Sequence, residues 1–201
     1  MKFLVTAIAL LTAAASGIAC AKDKPAAPNT LDYSYLRASY VSQQSDYFND
    51  GARGYAVEGS WLIDDHTYLL GSVAQLNFNR LPGDERVYGI GIGYQENPTG
   101  DISAFLQAEF FRASADTAPS AFGDHVDGYA KFSWGFRTLL GKTSPWEVEA
   151  AVYYDSHTNF GSRHFGAWLG VGAVWNHFGV RLLGDHNSVQ DTVRLSLSWY
   201  F

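Results

Sequence analysis

The chain has 201 residues, 47% of them apolar and 17% charged, which is too hydrophobic for intrinsic disorder and a length that suits one domain. A single Cys excludes a disulfide scaffold or a Cys-rich metal site, and a formal charge of −6 with only 14 Lys and Arg argues against a nucleic-acid partner. Aromatics are abundant (13 Phe, 12 Tyr, 6 Trp) beside 20 Gly, yet the mean hydropathy is too low for a bundle of membrane helices.

The first element is a targeting signal. Met1-Lys2 supplies a positive start, residues 3–15 are apolar or small, and Ala19-Cys20-Ala21 fits a small-residue cleavage site before charge begins at Lys22. Residues 1–21 therefore read as a cleaved signal peptide; a rival cut would leave Cys20 as a lipidated N-terminus, although Gly17 stands where such signals usually carry Leu. Loss of Lys2 takes the basic count from 14 to 13 against 20 acids, a mature charge of −7, and removes the only Cys. Residues 22–30 are small, polar and Pro-bearing, a disordered lead-in.

From residue 31 to 201 no amphipathic helical stripe is present. Segments of about ten residues alternate in character with period two, the length that a tilted strand needs to cross a bilayer. In chain order they are 32–43, 53–63, 67–77, 87–95, 101–112, 128–138, 146–154, 163–175, 178–186 and 191–201. In the last, Val193, Leu195, Leu197, Trp199 and Phe201 oppose Thr192, Arg194, Ser196, Ser198 and Tyr200. In 87–95, Tyr88, Ile90, Ile92 and Tyr94 oppose Gly89, Gly91 and Gly93. The connectors at 64–66, 97–100, 141–145 and 176–177 are short and rich in turn formers. Those at 43–52, 78–86, 113–127 and 156–162 are longer and polar, with a tight link at 187–190. The expectation is an all-β fold, an antiparallel transmembrane β-barrel of about ten strands, with eight strands and a longer loop as the alternative because the phase of 67–77 is ambiguous.

Aromatic placement decides which face meets lipid. Trp61, Tyr68, Tyr94, Trp146, Trp175 and Trp199, with Phe136 and Phe178, fall beside the short turns or the C-terminus, and Tyr40, Tyr55, Tyr88, Phe110, Tyr154 and Phe165 fall toward the loops. Two rows of rings around aliphatic midsections predict the interfacial girdles of a membrane barrel. The opposite face carries Arg37, Glu58, Glu109, Lys131, Arg137, Glu147, Glu149, Arg181, Asp185 and Arg194, five of each sign. Such a balance predicts a salt-bridged network plugging a narrow lumen, where a selective channel would show rings of one sign.

The ending Ser196-Leu197-Ser198-Trp199-Tyr200-Phe201 resembles the terminal strand of outer-membrane proteins, in which a final Phe, here Phe201, is read by the barrel assembly machinery. With Tyr33-Ser34-Tyr35-Leu36, Gly59-Ser60-Trp61-Leu62-Ile63 and the 89–94 Gly-Ile repeat, residues 31–201 are similar to the small OmpA/OmpX-like, porin-like outer-membrane β-barrels of Gram-negative bacteria. The resemblance implies a bacterial outer-membrane location, contact with outer-membrane lipid and lipopolysaccharide, and a monomer. No peptidoglycan-binding domain follows Phe201, so the anchoring role of longer members is not implied.

Two sets of residues could carry chemistry. His125, His157, His164 and His186 lie toward the loops with Asp124, Asp127, Asp155 and Asp185, a placement similar to that of acids and His in omptin-type proteases. His186-Asn187-Ser188 has the His-x-Ser spacing of outer-membrane lipid A deacylases, in which a His polarises a nucleophilic Ser. Neither set is embedded in a recognisable catalytic motif, and neither metal nor cofactor is called for. The expectation is a non-enzymatic structural or surface-interaction barrel, with a lipid-modifying enzyme or a small passive porin as alternatives.

Overall fold

Alternation with period two places successive side chains on opposite faces of a pleated strand, so a chain that alternates throughout can close into a tube with two chemically distinct surfaces. The computed structural model describes residues 33–45, 50–80, 82–97, 102–117, 125–140, 145–157 and 163–201, and the expected signal peptide, lead-in and Asp124 lie outside them. Among the described residues there are ten strands and no helix: β1 (Tyr35–Ser45), β2 (Asp50–Leu62), β3 (Thr67–Phe78), β4 (Gly83–Glu96), β5 (Ile102–Thr117), β6 (His125–Leu139), β7 (Trp146–His157), β8 (Arg163–Trp175), β9 (Phe178–Asn187) and β10 (Gln190–Tyr200). Each pairs antiparallel with its sequence neighbour, and β1 pairs with β10 to close the barrel. The eight-strand alternative is thereby set aside.

The strands run longer toward the loop end than the alternation suggested. Residues expected in the loops 43–52, 78–86 and 113–127 are in part paired strand, with Ser45 opposite Asp50 and Gly83 opposite Thr117. The cause is solvent. Beyond the apolar belt both faces of a strand can be polar, so the alternation fades while the backbone ladder continues.

At the turn end the connections are tight. Ile63 N–H donates to the Thr67 carbonyl at 2.8 Å, and the Asp64 carboxylate accepts from the backbone N–H of His66 at 2.8 Å and of Thr67 at 2.7 Å. Those two donors, His66 first, hold the Asp64 carboxyl below its ordinary value. A carboxyl depressed by folding stabilises the fold above its unfolded pKa, and that contribution is lost as pH falls through the folded value. Asp64→Ala is therefore expected to lower the thermal midpoint at pH 7, with the deficit shrinking as pH falls through the carboxyl's folded value; melts at pH 7 and at successively lower pH check this. The link between β8 and β9 uses Asn176 at φ 52°, the left-handed region that Asn tolerates better than most residues.

Inside, two tyrosines lie flat against glycines of the adjacent strand. Tyr68 is opposite Gly93 and Tyr153 is opposite Gly166, and a Cβ at either glycine would fall inside the tyrosine ring's contact distance. Glycine here clears room for a lumenal ring. Tyr68 corrects an expectation: it is not on the outer face among the girdle rings but is 0% exposed, inside the barrel, packed on Tyr33 with ring centroids 4.9 Å apart. Its hydroxyl accepts from Gln107 Nε2 at 3.1 Å.

Candidate functional site

The lumen is built in two storeys. From the turn end up to the middle of the tube, Tyr33, Tyr68, Leu70, Phe105, Ala151, Tyr153 and Trp168 form one buried cluster. Next to it runs a chain of ions supplied by β6, β7 and β9. Arg137 donates to Glu147 Oε2 through Nε at 3.0 Å and Nη2 at 2.6 Å. Arg181 donates to Glu147 Oε1, through Nε at 3.0 Å and also through Nη2, and reaches Glu149 Oε2 with Nη1 at 2.5 Å. Glu147, 2% exposed, is thus clamped between two guanidinium forks. Trp168 Nε1 donates to Glu149 at 3.0 Å, and the Tyr200 hydroxyl accepts from Arg137 Nη2 at 3.1 Å. Across the tube Arg37 pairs with Glu58 at 2.7 Å, and the same carboxylate oxygen accepts the Tyr35 hydroxyl at 2.9 Å. Three arginines meet three glutamates, so this storey is neutral.

Above it lies a cavity of about 320 Å³, floored by Arg37, Glu149 and Arg181 and reaching Asn187 and Val189 at the loop end. Its wall carries Glu85, Glu109, Asp127, Asp155 and Asp185 against Lys131 and Arg194, so the upper storey is acidic. Lys131 Nζ sits 3.8 Å from the Tyr153 ring centroid and 3.7 Å from Asp185, which also accepts the Tyr153 hydroxyl at 2.6 Å. The ten charged residues assigned to the inner face by sequence all line this lumen. Eight of them sit in the ion pairs above; among the described residues Glu109 and Arg194 have no ion-pair partner within 4 Å. Arg194 Nε is buried without a hydrogen bond.

The loop-end candidates for chemistry are arranged differently from their spacing. His186 and Ser188 do not meet. The His186 side chain points outward and its Nδ1 lies 2.5 Å from Asp191 Oδ1, whereas Ser188 Oγ is 2.8 Å from Nδ1 of His164, a buried residue opposite Asp155 on β7. In a strand-turn-strand segment the ends of the two strands leave on opposite faces, so two residues of separation does not ensure a shared side. The side chains of His125 and His157 lie outside the description. Among the described residues no group of three His, Cys, Asp or Glu converges as a metal site. Sequence reasoning missed the Ser188–His164 contact, which joins positions 24 apart, and the aromatic floor around Phe105, whose residues sit on inner faces otherwise rich in polar groups and glycine.

The outer surface completes the picture. Ile90, Ile92, Leu106, Leu169, Leu182, Leu195 and Leu197 are exposed in a belt around the barrel. Trp61, Tyr94, Trp146, Trp175 and Trp199 point outward at its turn-end edge, and Tyr40, Tyr55, Tyr88, Phe110 and Phe165 point outward toward the loops. A water-soluble barrel puts charge outside and apolar side chains inside; here charge is inside and a ringed apolar belt is outside. The chain folds as a transmembrane-type β-barrel.

No protein-family model and no curated protein matches the chain. Solved outer-membrane barrels resemble it at low identity. The KdgM porin in complex with disordered oligogalacturonate is 10% identical over 83% of this chain and 99% of its own, with a TM-score of 0.47. The NanC porin is 10% identical over 84% and 100%, with a TM-score of 0.46. Neisserial surface protein A (NspA) is 14% identical over 83% and 95%, with a TM-score of 0.40.

Proposed function

We propose that this chain is a small bacterial outer-membrane barrel with a structural or surface-interaction role, and that it neither catalyses a reaction nor conducts solutes freely. The observation that carries the reading is the neutral ion network around Glu147, packed beside the aromatic cluster at the turn end of the lumen. A solute crossing it would have to break pairs whose partners are buried, and leaving a buried ion unpaired costs several kcal/mol. The exposed aromatic rows serve as the girdles at the two membrane interfaces, with lipid and lipopolysaccharide as the surroundings, Phe201 as the signal to the assembly machinery, and one copy as the working unit. Phe201 packs on Trp61 and Trp199 at centroid distances of 5.4 and 5.9 Å, at the seam of the barrel. Purified protein in a planar bilayer is expected to give no stable conductance step. A steady, large conductance would favour the porin alternative and reject this reading.

A further inference from the structure

Outside the lumen, one flank of the barrel carries an ordered charge pattern that the proposed role leaves unused. On β2, β4 and β5 the outermost lipid-facing ring is followed, two positions nearer the loops on the same face, by an exposed arginine. The pairs are Tyr55 with Arg53, Tyr88 with Arg86, and Phe110 with Arg112. Two residues of strand place each guanidinium base about 7 Å beyond its ring. Register sets the three on a diagonal: Arg53 is level with Asn77 and Asp84, two positions loop-ward of Arg86, and Arg112 is level with Tyr88, two positions turn-ward of it. Among the described residues no carboxylate lies within ion-pair distance of Arg53 or Arg112, while Asp84 engages Arg86 at 3.1 Å and accepts from Gln75 at 2.6 Å. Elsewhere the arrangement is single or absent: on β8 Arg163 stands two positions nearer the loops than Phe165, whereas Ser42 follows Tyr40 on β1, Ser156 follows Tyr154 on β7, and the loop ends of β9 and β10 hold the His186–Asp191 pair.

We infer that this flank is a docking site for the phosphate-bearing headgroup of a lipid in the leaflet around the loop end, its acyl chains lying along Ile90, Ile92 and Leu106. Three observations converge on that occupant. The arginines stand just beyond an apolar, ring-edged surface, where a lipid's phosphate meets water. Guanidinium groups present paired donors that match phosphate oxygens. The chain as a whole is acidic, and five of its basic residues are turned into the lumen, so arginines grouped on the outside oppose the charge of the rest of the molecule.

The inference rests on the membrane reading proposed above, and the test separates the two. Refolded full-length protein in detergent is mixed with phosphorylated lipid A, with its dephosphorylated form, or with phosphatidylcholine, and retained lipid is counted by native mass spectrometry. Wild type is expected to keep phosphorylated lipid A in preference to the other two. Arg53→Gln/Arg86→Gln/Arg112→Gln is expected to keep about tenfold less, the loss of two or three charge-assisted contacts. The triple Lys variant is expected to retain an intermediate amount. Gel mobility of unboiled samples and insertion into phosphatidylcholine liposomes verify that each variant folds. Equal retention of phosphorylated lipid A by wild type and a folded Gln variant overturns the docking site, as does equal retention of the two lipid A forms by wild type. Failure of wild type to insert into liposomes would instead overturn the membrane reading.

Discussion

Glu147→Ala is expected to destabilise the barrel by about 3–5 kcal/mol, the range for removing one partner of a buried ion cluster. The carboxylate is 2% exposed and takes two donors from Arg137 and two from Arg181. Without it, Arg137 loses its carboxylate partner and Arg181 keeps only its bond to Glu149 among those described above. Urea unfolding in lipid vesicles followed by tryptophan fluorescence measures the loss. Glu109→Gln is the matched control. That carboxylate lies in the same lumen with no ion-pair partner among the described residues, and its neutral amide is expected to cost under about 1 kcal/mol. Equal effects of the two substitutions would mean that the cluster contributes no more than any lumenal charge.

The second large effect comes from the opposite kind of change, an added methyl. Gly93→Ala pushes a Cβ into the Tyr68 ring, which is fully buried between Tyr33 and the wall and has no free direction in which to move. Overpacking of this kind costs about 1–3 kcal/mol. In a Tyr68→Ala background the space is already open, so the same Gly93→Ala change is expected to cost close to nothing. The double-mutant cycle then returns a coupling of about 1–3 kcal/mol. A penalty of the same size in both backgrounds would place its origin in the β4 backbone and not in the ring.

These two sites mark how far the sequence could be read. Which side of the wall each charge occupies was legible, because parity along a strand is a local property: Glu147 and Glu149 share a face in any register. Which arginine each glutamate would meet was not, because Arg137 and Arg181 approach from two different strands and only the registers of β6–β7, β7–β8 and β8–β9 together bring them to one carboxylate. Tyr68 shows where parity itself fails. In β3, Leu69 and Val73 face outward while Tyr68, Leu70 and Leu76 face inward, so both faces are apolar and alternation gives no phase. The phase is set by the neighbour, since Gly93 of β4 leaves room on the inner face for the Tyr68 ring. The arginines at 53, 86 and 112 were visible as residues, but their diagonal row emerges only from the registers of β2–β3, β3–β4 and β4–β5.

The seam between β1 and β10 has a consequence for assembly. Arg37 donates to Ser198 across 161 positions of chain, and Ser39 bonds Ser196 across 157. Tyr200, in the last paired position of β10, delivers its hydroxyl to Arg137. Until both margins are present, a growing sheet exposes two rows of unpaired peptide groups along eleven residues, and Arg137 lacks one of its acceptors. A partial set of strands is therefore a ribbon open to pairing with any other strand, not a smaller barrel. Closure joins the two ends of the chain through long-range contacts, which slow folding, and it rewards whatever guides the final strand to the first.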